Sequence, residues 1–136
     1  MIVSRRVEMF AILGFGLALG APSLVPPALA VQGTKFVPAA LSEAQKAGKA
    51  ILIEVSAPWC PTCKAQAPIL GKLLSTDKFK GFVKLDVDFD SQKPDLKQLN
   101  ARQQSTLIVF KGDKEVGRSV GDTDPASIEA LLAKAL

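Results

Sequence analysis

The chain has 136 residues, with 17 Lys and Arg, 13 Asp and Glu, a formal net charge of +4 and no histidine. This length accommodates one compact domain, and the hydrophobic fraction of 48% supplies enough apolar side chains for a core, which excludes a wholly disordered or collagen-like chain. Because each needs an imidazole, the composition also excludes a Ser/His/Asp triad, a Cys/His protease pair and a histidine-ligated zinc site.

The start of the chain has the pattern of an export signal. Arg5 and Arg6 precede the apolar run Met9–Ala21, which is shorter than the roughly 18 residues that a membrane-spanning helix needs. Ala28-Leu29-Ala30 then supplies the small-x-small pattern that a signal peptidase accepts. We predict a cleavable signal peptide over residues 1–30 and a periplasmic location; an uncleaved membrane anchor or a buried helix is the alternative.

Residues 31–136, the predicted mature domain, carry scattered charges and few aromatic side chains. Because they contain no dense stripe of Lys and Arg, nucleic acid is not an expected partner. Strand-like and helix-like periodicity alternate along this segment, which predicts an α/β domain in which helices cover a central sheet and no segment spans a membrane.

Turn and capping residues divide this domain into elements. Val31–Phe36 is too short to assign to a strand or a helix. In chain order, the remaining pattern predicts a helix over Pro38–Lys46, a strand over Ala50–Val55, a helix over 60–75 bent at Pro68, a strand over Phe82–Phe89, a short helix over Pro94–Asn100, a hairpin of Thr106–Lys111 and Glu115–Val120, and a helix that starts after Asp124 with Ile128, Leu131, Leu132 and Ala135 on one face.

The segment Trp59-Cys60-Pro61-Thr62-Cys63-Lys64 joins a predicted strand to a predicted helix. At the start of a helix, free N–H groups and the helix dipole stabilise a thiolate and lower the pKa of the cysteine from ~8.5. We therefore predict that Cys60 is a redox nucleophile. Cys63, one turn deeper, is positioned to attack a mixed disulfide at Cys60 and release the product.

The cysteine pair has two other interpretations. A structural disulfide that closes only four residues contributes at most about 2 kcal/mol in the chain-entropy treatment and joins no distant elements. A metal site needs about four ligands, and the chain offers two cysteines and no histidine, so a second chain or a bound thiol would have to complete the shell of a metal ion or iron–sulfur cluster. Disulfide exchange is the favoured interpretation, and the shared metal or cluster is the alternative.

From about Pro38 to Leu136 the sequence resembles the thioredoxin superfamily. The resemblance rests on the Trp-Cys-x-x-Cys-Lys box, on Pro68 five residues after the second Cys, on Phe110-Lys111-Gly112-Asp113 as the terminal hairpin, and on Val120-Gly121 as a strand end beside the redox site. It implies a thioredoxin-like α/β fold, with a central mixed sheet of four or five strands flanked by helices. It also implies thiol-disulfide oxidoreductase activity, for which no cofactor or metal is expected.

The export signal and the stretch from Lys93 to Asn100 look most like envelope thiol:disulfide interchange domains. The resemblance then implies partners that are disulfide- or dithiol-bearing proteins of the envelope. It also implies a membrane electron donor and a role as reductant more than as strong oxidant.

The same resemblance assigns roles to two charged residues. Glu54 aligns with the buried acid that relays a proton to or from the resolving thiol, and Lys84 aligns with the lysine near that acid. The alternatives are an acid on a sheet edge and a solvated strand lysine. Trp59, Gln104, Ser105 and Gly121 align with positions that bind substrate.

Ser105 departs from the thioredoxin pattern. It stands where the family has a cis-proline that shapes the substrate groove and keeps metals away from the cysteines. A cis bond before a residue other than proline costs about 3–4 kcal/mol, so we expect the Gln104–Ser105 bond to be trans. The hydroxyl of Ser105 is then expected to donate a hydrogen bond to the Cys60 thiolate.

Overall fold

The computed structural model describes residues 33–136 of the protein, and the predicted signal peptide over residues 1–30 lies outside this range. Strands and helices alternate along the described residues, as the periodicity predicts. In chain order they are β1 Thr34–Lys35, α1 Pro38–Lys46, β2 Ala50–Ser56, α2 Pro61–Leu74, β3 Val83–Asp88, α3 Lys93–Gln98, β4 Thr106–Lys111, β5 Lys114–Val120 and α4 Pro125–Ala133. None of the helices within residues 33–136 is long and apolar enough to cross a bilayer.

The strands form one mixed sheet in the order β1-β3-β2-β4-β5. β3 runs parallel to both β1 and β2, whereas β4 is antiparallel to β2 and β5. The thioredoxin-like fold class is thereby confirmed, with five strands in the sheet. β2 lies at the centre of the sheet. Its run Ile51–Val55 is buried throughout, as expected of a strand that is covered on both faces.

The two faces of the sheet carry separate cores, and β2 contributes to both. Ile51, Ile53 and Val55 belong to one core, with side chains of α1 and α3. Leu52 belongs to the other core, with side chains of α2 and α4. Because side chains alternate along a strand, Glu54 shares the face of Leu52. The sheet therefore presents this carboxyl group to the layer that contains α2.

Three local features lie where the sequence predicts them. Asp124 caps α4, where its carboxylate accepts a hydrogen bond from the backbone N–H of Ala126 at 3.0 Å and Pro125 begins the helix. Gly112 turns the β4–β5 hairpin with a φ of +55°, a conformation that favours glycine. Pro68 lies inside α2, where it removes one backbone donor from the helix.

Candidate active site

The two cysteines lie where β2 passes into α2. Cys60 is the N-cap residue of α2, with extended backbone, and its Sγ accepts a hydrogen bond from the Cys63 N–H at 3.1 Å. Pro61 begins the helix, and its missing N–H removes none of the helical hydrogen bonds. Cys60 and Cys63 form a disulfide with a Cα–Cα distance of 5.3 Å. On reduction, a thiolate at Cys60 would face the positive end of α2.

Both sulfur-bearing residues are buried. Cys60 is 2% exposed and Cys63 is 5% exposed, and they form a small cluster with Ala57, against which Phe89 packs. Apolar surroundings disfavour a thiolate. The polar groups that reach the sulfurs therefore decide how much negative charge the site tolerates.

Ser105 supplies one of these polar groups. Its Oγ lies 3.1 Å from the Sγ of Cys60 and 3.3 Å from the Sγ of Cys63, and the residue is 4% exposed. Because the sulfurs of a disulfide carry no hydrogen, the hydroxyl donates. The sequence predicts the contact with Cys60, but it gives no indication that the hydroxyl also reaches Cys63.

The backbone of Ser105 is held in an unusual conformation. The Gln104–Ser105 bond is trans, as expected, and φ of Ser105 is +60°, a left-handed conformation that costs a residue other than glycine about 1–2 kcal/mol. The Ser105 N–H donates to the carbonyl of Val55 at 2.8 Å, and its carbonyl accepts from the N–H of Gly121 at 2.9 Å. These two bonds join the Ser105 turn to β2 and to the end of β5.

Gln66 makes a third connection to this turn, and sequence reasoning missed it. This side chain of α2 is fully buried, and its Nε2 donates to the carbonyls of Ser105 at 3.3 Å and Asp122 at 2.8 Å. A glutamine in a helix ordinarily faces solvent. The spacing of Gln66 in the sequence could have indicated its burial. It follows Cys63 by three positions and precedes Leu70 by four, which places all three on one helix face.

A charge network lies on the face of the sheet that Glu54 shares with Leu52. The Oε2 of Glu54 lies 2.5 Å from the Nζ of Lys84, and this Nζ also contacts the Oδ1 of Asp86. Burial disfavours the charged form of Lys84, but the attraction of Glu54 and hydrogen bonds with Asp86 and Glu54 outweigh it, so the pKa of Lys84 lies above its ordinary value. The lysine therefore remains protonated at neutral pH.

The network contradicts both alternatives considered for these residues. Glu54 lies on the central strand and is 6% exposed, so it is not an acid on a sheet edge, and the side chain of Lys84 is only 10% exposed, so it is not a solvated strand lysine. Within residues 33–136, no hydrogen bond joins Glu54 to either cysteine. Asp86 was not predicted as part of this group, although its pairing with Glu54 across the parallel β2–β3 register places it there.

Trp59 presents an aromatic surface beside the disulfide. It is 55% exposed, and its Nε1 donates to the Oδ2 of Asp90 at 2.8 Å. Its ring meets the ring of Phe89 edge-to-face, with centroids 6.4 Å apart, and the Nζ of Lys93 lies 3.9 Å from the centroid of Phe89. The exposed indole is thus held in place by its contacts with Asp90 and Phe89.

The remaining predicted substrate-binding positions flank the Ser105 turn. Gln104 is half-buried. Gly121 has a φ of +71°, a conformation that glycine adopts without strain, and its N–H is used in the bond to Ser105. Among the described residues, no three side chains of Cys, His, Asp or Glu gather as a metal site would require.

Comparison with known proteins identifies the family. The family model named Thioredoxin matches residues 34–134. The chain belongs to the thioredoxin family. It is 38% identical to a thioredoxin of Chlamydia muridarum over 84 residues, which are 62% of this chain and 80% of the relative. It is 36% identical to thioredoxin-2 of Saccharomyces cerevisiae over 85 residues, again 62% of this chain and 79% of the relative.

Solved structures agree with this assignment. The crystal structure of Trxlp from Edwardsiella tarda is similar to this thioredoxin-family chain with a TM-score of 0.72 and 37% sequence identity, covering 74% of this chain and 98% of that one. Family membership together with the Cys60–Cys63 disulfide pair establishes the activity class. The protein is a thiol-disulfide oxidoreductase.

Proposed function

We propose that this protein is exported and reduces disulfide bonds of envelope proteins by dithiol–disulfide exchange. The observation that carries the exchange chemistry, in either direction, is the position of Cys60, the N-cap of α2, whose Sγ meets the N–H of Cys63 at 3.1 Å and the hydroxyl of Ser105 at 3.1 Å. Both groups donate to negative charge on this sulfur. Cys60 is therefore the cysteine that reacts first.

The reaction proceeds in two exchanges. The thiolate of Cys60 attacks one sulfur of a client disulfide, which forms a mixed disulfide and releases the first client thiolate. Cys63 then loses its proton and attacks the Sγ of Cys60, which releases the second client thiolate and closes the Cys60–Cys63 disulfide. Two electrons pass from the protein to the client, and the released client thiolates take up protons according to their own pKa values.

Glu54 is the proposed acceptor of the Cys63 proton. It is a buried carboxylate on the sheet face that is covered by α2, and Lys84 neutralises its charge at a distance of 2.5 Å. Its position in the layer that is covered by the active-site helix supports this assignment. Since no direct hydrogen bond joins it to Cys63, we expect the proton to travel through an intervening group.

The proposed direction rests on burial. The Cys60–Cys63 pair is almost fully covered, and surroundings that disfavour a thiolate also favour the disulfide form of the protein, which makes the dithiol a better electron donor. The opposite direction, disulfide donation, is favoured by the two hydrogen-bond donors on the Cys60 sulfur, because they stabilise the reduced form. The two influences have opposite signs, and the redox potential reports their balance.

The redox potential of residues 31–136, measured against glutathione, tests the direction. A reductant should have a value near that of thioredoxins, about −270 mV, and a value near −120 mV, as in strong periplasmic oxidants, would overturn the proposed role. Metal analysis of the purified protein tests the alternative function. Iron or zinc retained at one ion or cluster per two chains would favour the shared site over disulfide exchange.

The proposed location and partners rest on the N-terminal sequence. Arg5, Arg6 and the short run Met9–Ala21 have the form of a cleavable signal. In an oxidising compartment a dithiol that reduces clients must be reduced again, so we propose a membrane protein as the electron donor. Trapping clients in whole cells with a Cys63→Ser variant, followed by separation of periplasmic and cytosolic fractions, tests the location and the clients; mixed disulfides found only with cytosolic proteins would contradict the proposal.

A further inference from the structure

We propose that Gln66 is a positioning residue that sets the redox equilibrium of the Cys60–Cys63 pair through Ser105. The inference depends on disulfide exchange at this pair, but not on its direction, on the clients or on the location of the protein.

The contacts of Gln66 support this role. Its Nε2 bridges two carbonyls, that of Ser105 at 3.3 Å and that of Asp122 at 2.8 Å. Asp122 follows Gly121, whose N–H donates to the same Ser105 carbonyl at 2.9 Å. One amide on the active-site helix therefore ties together the turn before β4 and the segment after β5.

Packing alone does not explain a glutamine at this position. The Oε1 of Gln66 is buried and has no hydrogen-bond partner among residues 33–136, and an unpaired buried acceptor destabilises a folded protein. Leucine has a similar volume and would avoid this penalty. The unpaired Oε1 therefore carries a cost that leucine would avoid, and the identifiable effect of the amide is that its Nε2 holds the Ser105 and Asp122 carbonyls.

When Gln66 holds the carbonyl of Ser105, it also fixes the position of the Ser105 hydroxyl. The residue is kept in the left-handed region, at a φ of +60°, by bonds that its own N–H and carbonyl make to neighbouring segments. In that conformation Oγ lies 3.1 Å from the Sγ of Cys60. Without the bond from Gln66, this strained conformation of the turn is less stabilised, and the hydroxyl moves away from the sulfurs.

The chemical consequence has a definite sign. Reduction converts the disulfide, two electrons and a proton into one thiolate, at Cys60, and one thiol, at Cys63. A hydroxyl donates a stronger hydrogen bond to a thiolate than to a neutral disulfide sulfur. Displacing the hydroxyl therefore destabilises the reduced form, and the protein should become harder to reduce.

The test compares Gln66→Leu with a matched control, Gln92→Leu. Gln92 is also a buried glutamine, 7% exposed, and its Nε2 donates to the carbonyl of Phe36 at 3.0 Å. Its described hydrogen bonds do not involve Ser105 or the cysteines. Gln66→Leu should shift the equilibrium with glutathione about 3- to 10-fold toward the disulfide form, whereas Gln92→Leu should leave it within about twofold of the unmodified protein.

A double-mutant cycle tests whether Gln66 acts on the cysteines through Ser105. If Gln66 acts through the Ser105 hydroxyl, adding Gln66→Leu to Ser105→Ala should change the equilibrium by less than about twofold. An equal shift in both backgrounds, or no shift from Gln66→Leu alone, would overturn the proposal. Gln66→Met, which preserves side-chain length, is measured in parallel in case the leucine variant does not fold.

The unmodified protein provides an independent test. By NMR, the side-chain amide of Gln66 should exchange slowly with solvent, and its resonances should move when the disulfide is reduced, while those of Gln92 should move less. A rapidly exchanging Gln66 amide, or one that is unaffected by reduction, would show that it does not hold the turn beside the sulfurs.

Discussion

At the scale of single residues, the chemistry depends on the groups that reach the two sulfurs. Cys60 receives hydrogen bonds from the N–H of Cys63 and the hydroxyl of Ser105, whereas the described hydrogen bonds of the Cys63 sulfur come from Ser105 alone. This difference gives the two cysteines unequal roles. Glu54 and Lys84 add a buried charge pair on the sheet face that is covered by the active-site helix.

The first prediction concerns the order of attack. Cys63→Ser should accumulate mixed disulfides with clients, because Cys60 still attacks but nothing releases the product, whereas Cys60→Ser should accumulate almost none. Non-reducing gel electrophoresis of a trapped extract distinguishes the two variants. Equal alkylation rates of the two cysteines across a pH series in the reduced protein would contradict the assignment of Cys60 as nucleophile.

The second prediction concerns the buried ion pair. Lys84→Met leaves the Glu54 carboxylate buried without its cation, which should lower the free energy of unfolding by about 3–5 kcal/mol. Glu54→Leu combined with Lys84→Met removes both charges and should recover much of this loss. Urea denaturation of the three proteins at pH 7 measures these differences; a double variant no more stable than Lys84→Met would show that the unpaired charge is not the cause.

The raised pKa of Lys84 gives this second prediction a pH dependence. Because the pKa in the folded state lies above the ordinary value of 10.5, protonated Lys84 contributes stability that is complete below about pH 10 and is lost as the pH rises through the folded-state pKa. The unfolding free energy should therefore fall in strongly alkaline solution. The part of this fall that is due to Lys84 should be absent in Lys84→Met, and identical alkaline profiles would contradict the assignment.

At the scale of elements, the turn before β4 brings Ser105 to the two sulfurs. Ser105 has a left-handed backbone, and its N–H donates to Val55 at 2.8 Å. Proline has a φ near −65° and no N–H, so it cannot replace Ser105 in this conformation. The turn is therefore built for a residue other than proline, and the serine is not a simple substitution within an unchanged loop.

The third prediction follows from this backbone. Ser105→Pro should destabilise the protein by about 1–3 kcal/mol, because it loses the bond to Val55 and must change the turn. Ser105→Gly should retain the turn, since glycine adopts a positive φ freely, while losing the hydroxyl. Thermal denaturation and the glutathione equilibrium, measured together, separate the two effects; a proline variant as stable as the glycine variant would contradict this account.

The elements themselves could largely be predicted from the sequence. The periodicity of apolar residues, together with capping residues such as Asp124, predicted the bounds of the helices and the longer strands to within about two residues, because these signals act locally. β1 was missed, since two residues carry no periodicity. Gln66, Asp86 and the backbone of Ser105 could not be predicted from local patterns, because their conformations depend on hydrogen bonds and ion pairs to residues distant in the chain.

At the scale of the whole molecule, stability comes from two cores on opposite faces of one sheet. The disulfide lies at one end of β2 and joins residues only three positions apart. It therefore makes a small contribution to the fold, which leaves it free to open and close during turnover.

The fourth prediction is that reduction leaves the protein folded. Opening so short a loop should lower the free energy of unfolding by at most about 2 kcal/mol in the chain-entropy treatment. Circular dichroism of residues 31–136 with and without reductant should show the same helix and strand content. Loss of this signal on reduction would indicate a structural disulfide instead of a redox-active one.

The fifth prediction concerns the N-terminal segment. If the signal is cleaved after Ala30, the exported protein should begin at Val31. The intact mass of protein from a periplasmic extract measures this directly. A mass that includes residues 1–30 would indicate an uncleaved segment.

The hydroxyl of Ser105 has one hydrogen and faces two sulfurs. It cannot donate to both in full at the same moment, so stabilising a thiolate at Cys60 leaves the Cys63 sulfur with less support. Once Cys60 is joined to a client, its sulfur carries no negative charge, and the hydrogen can turn toward the Cys63 sulfur by rotation about one C–O bond. A single hydroxyl thus serves the two exchanges in succession.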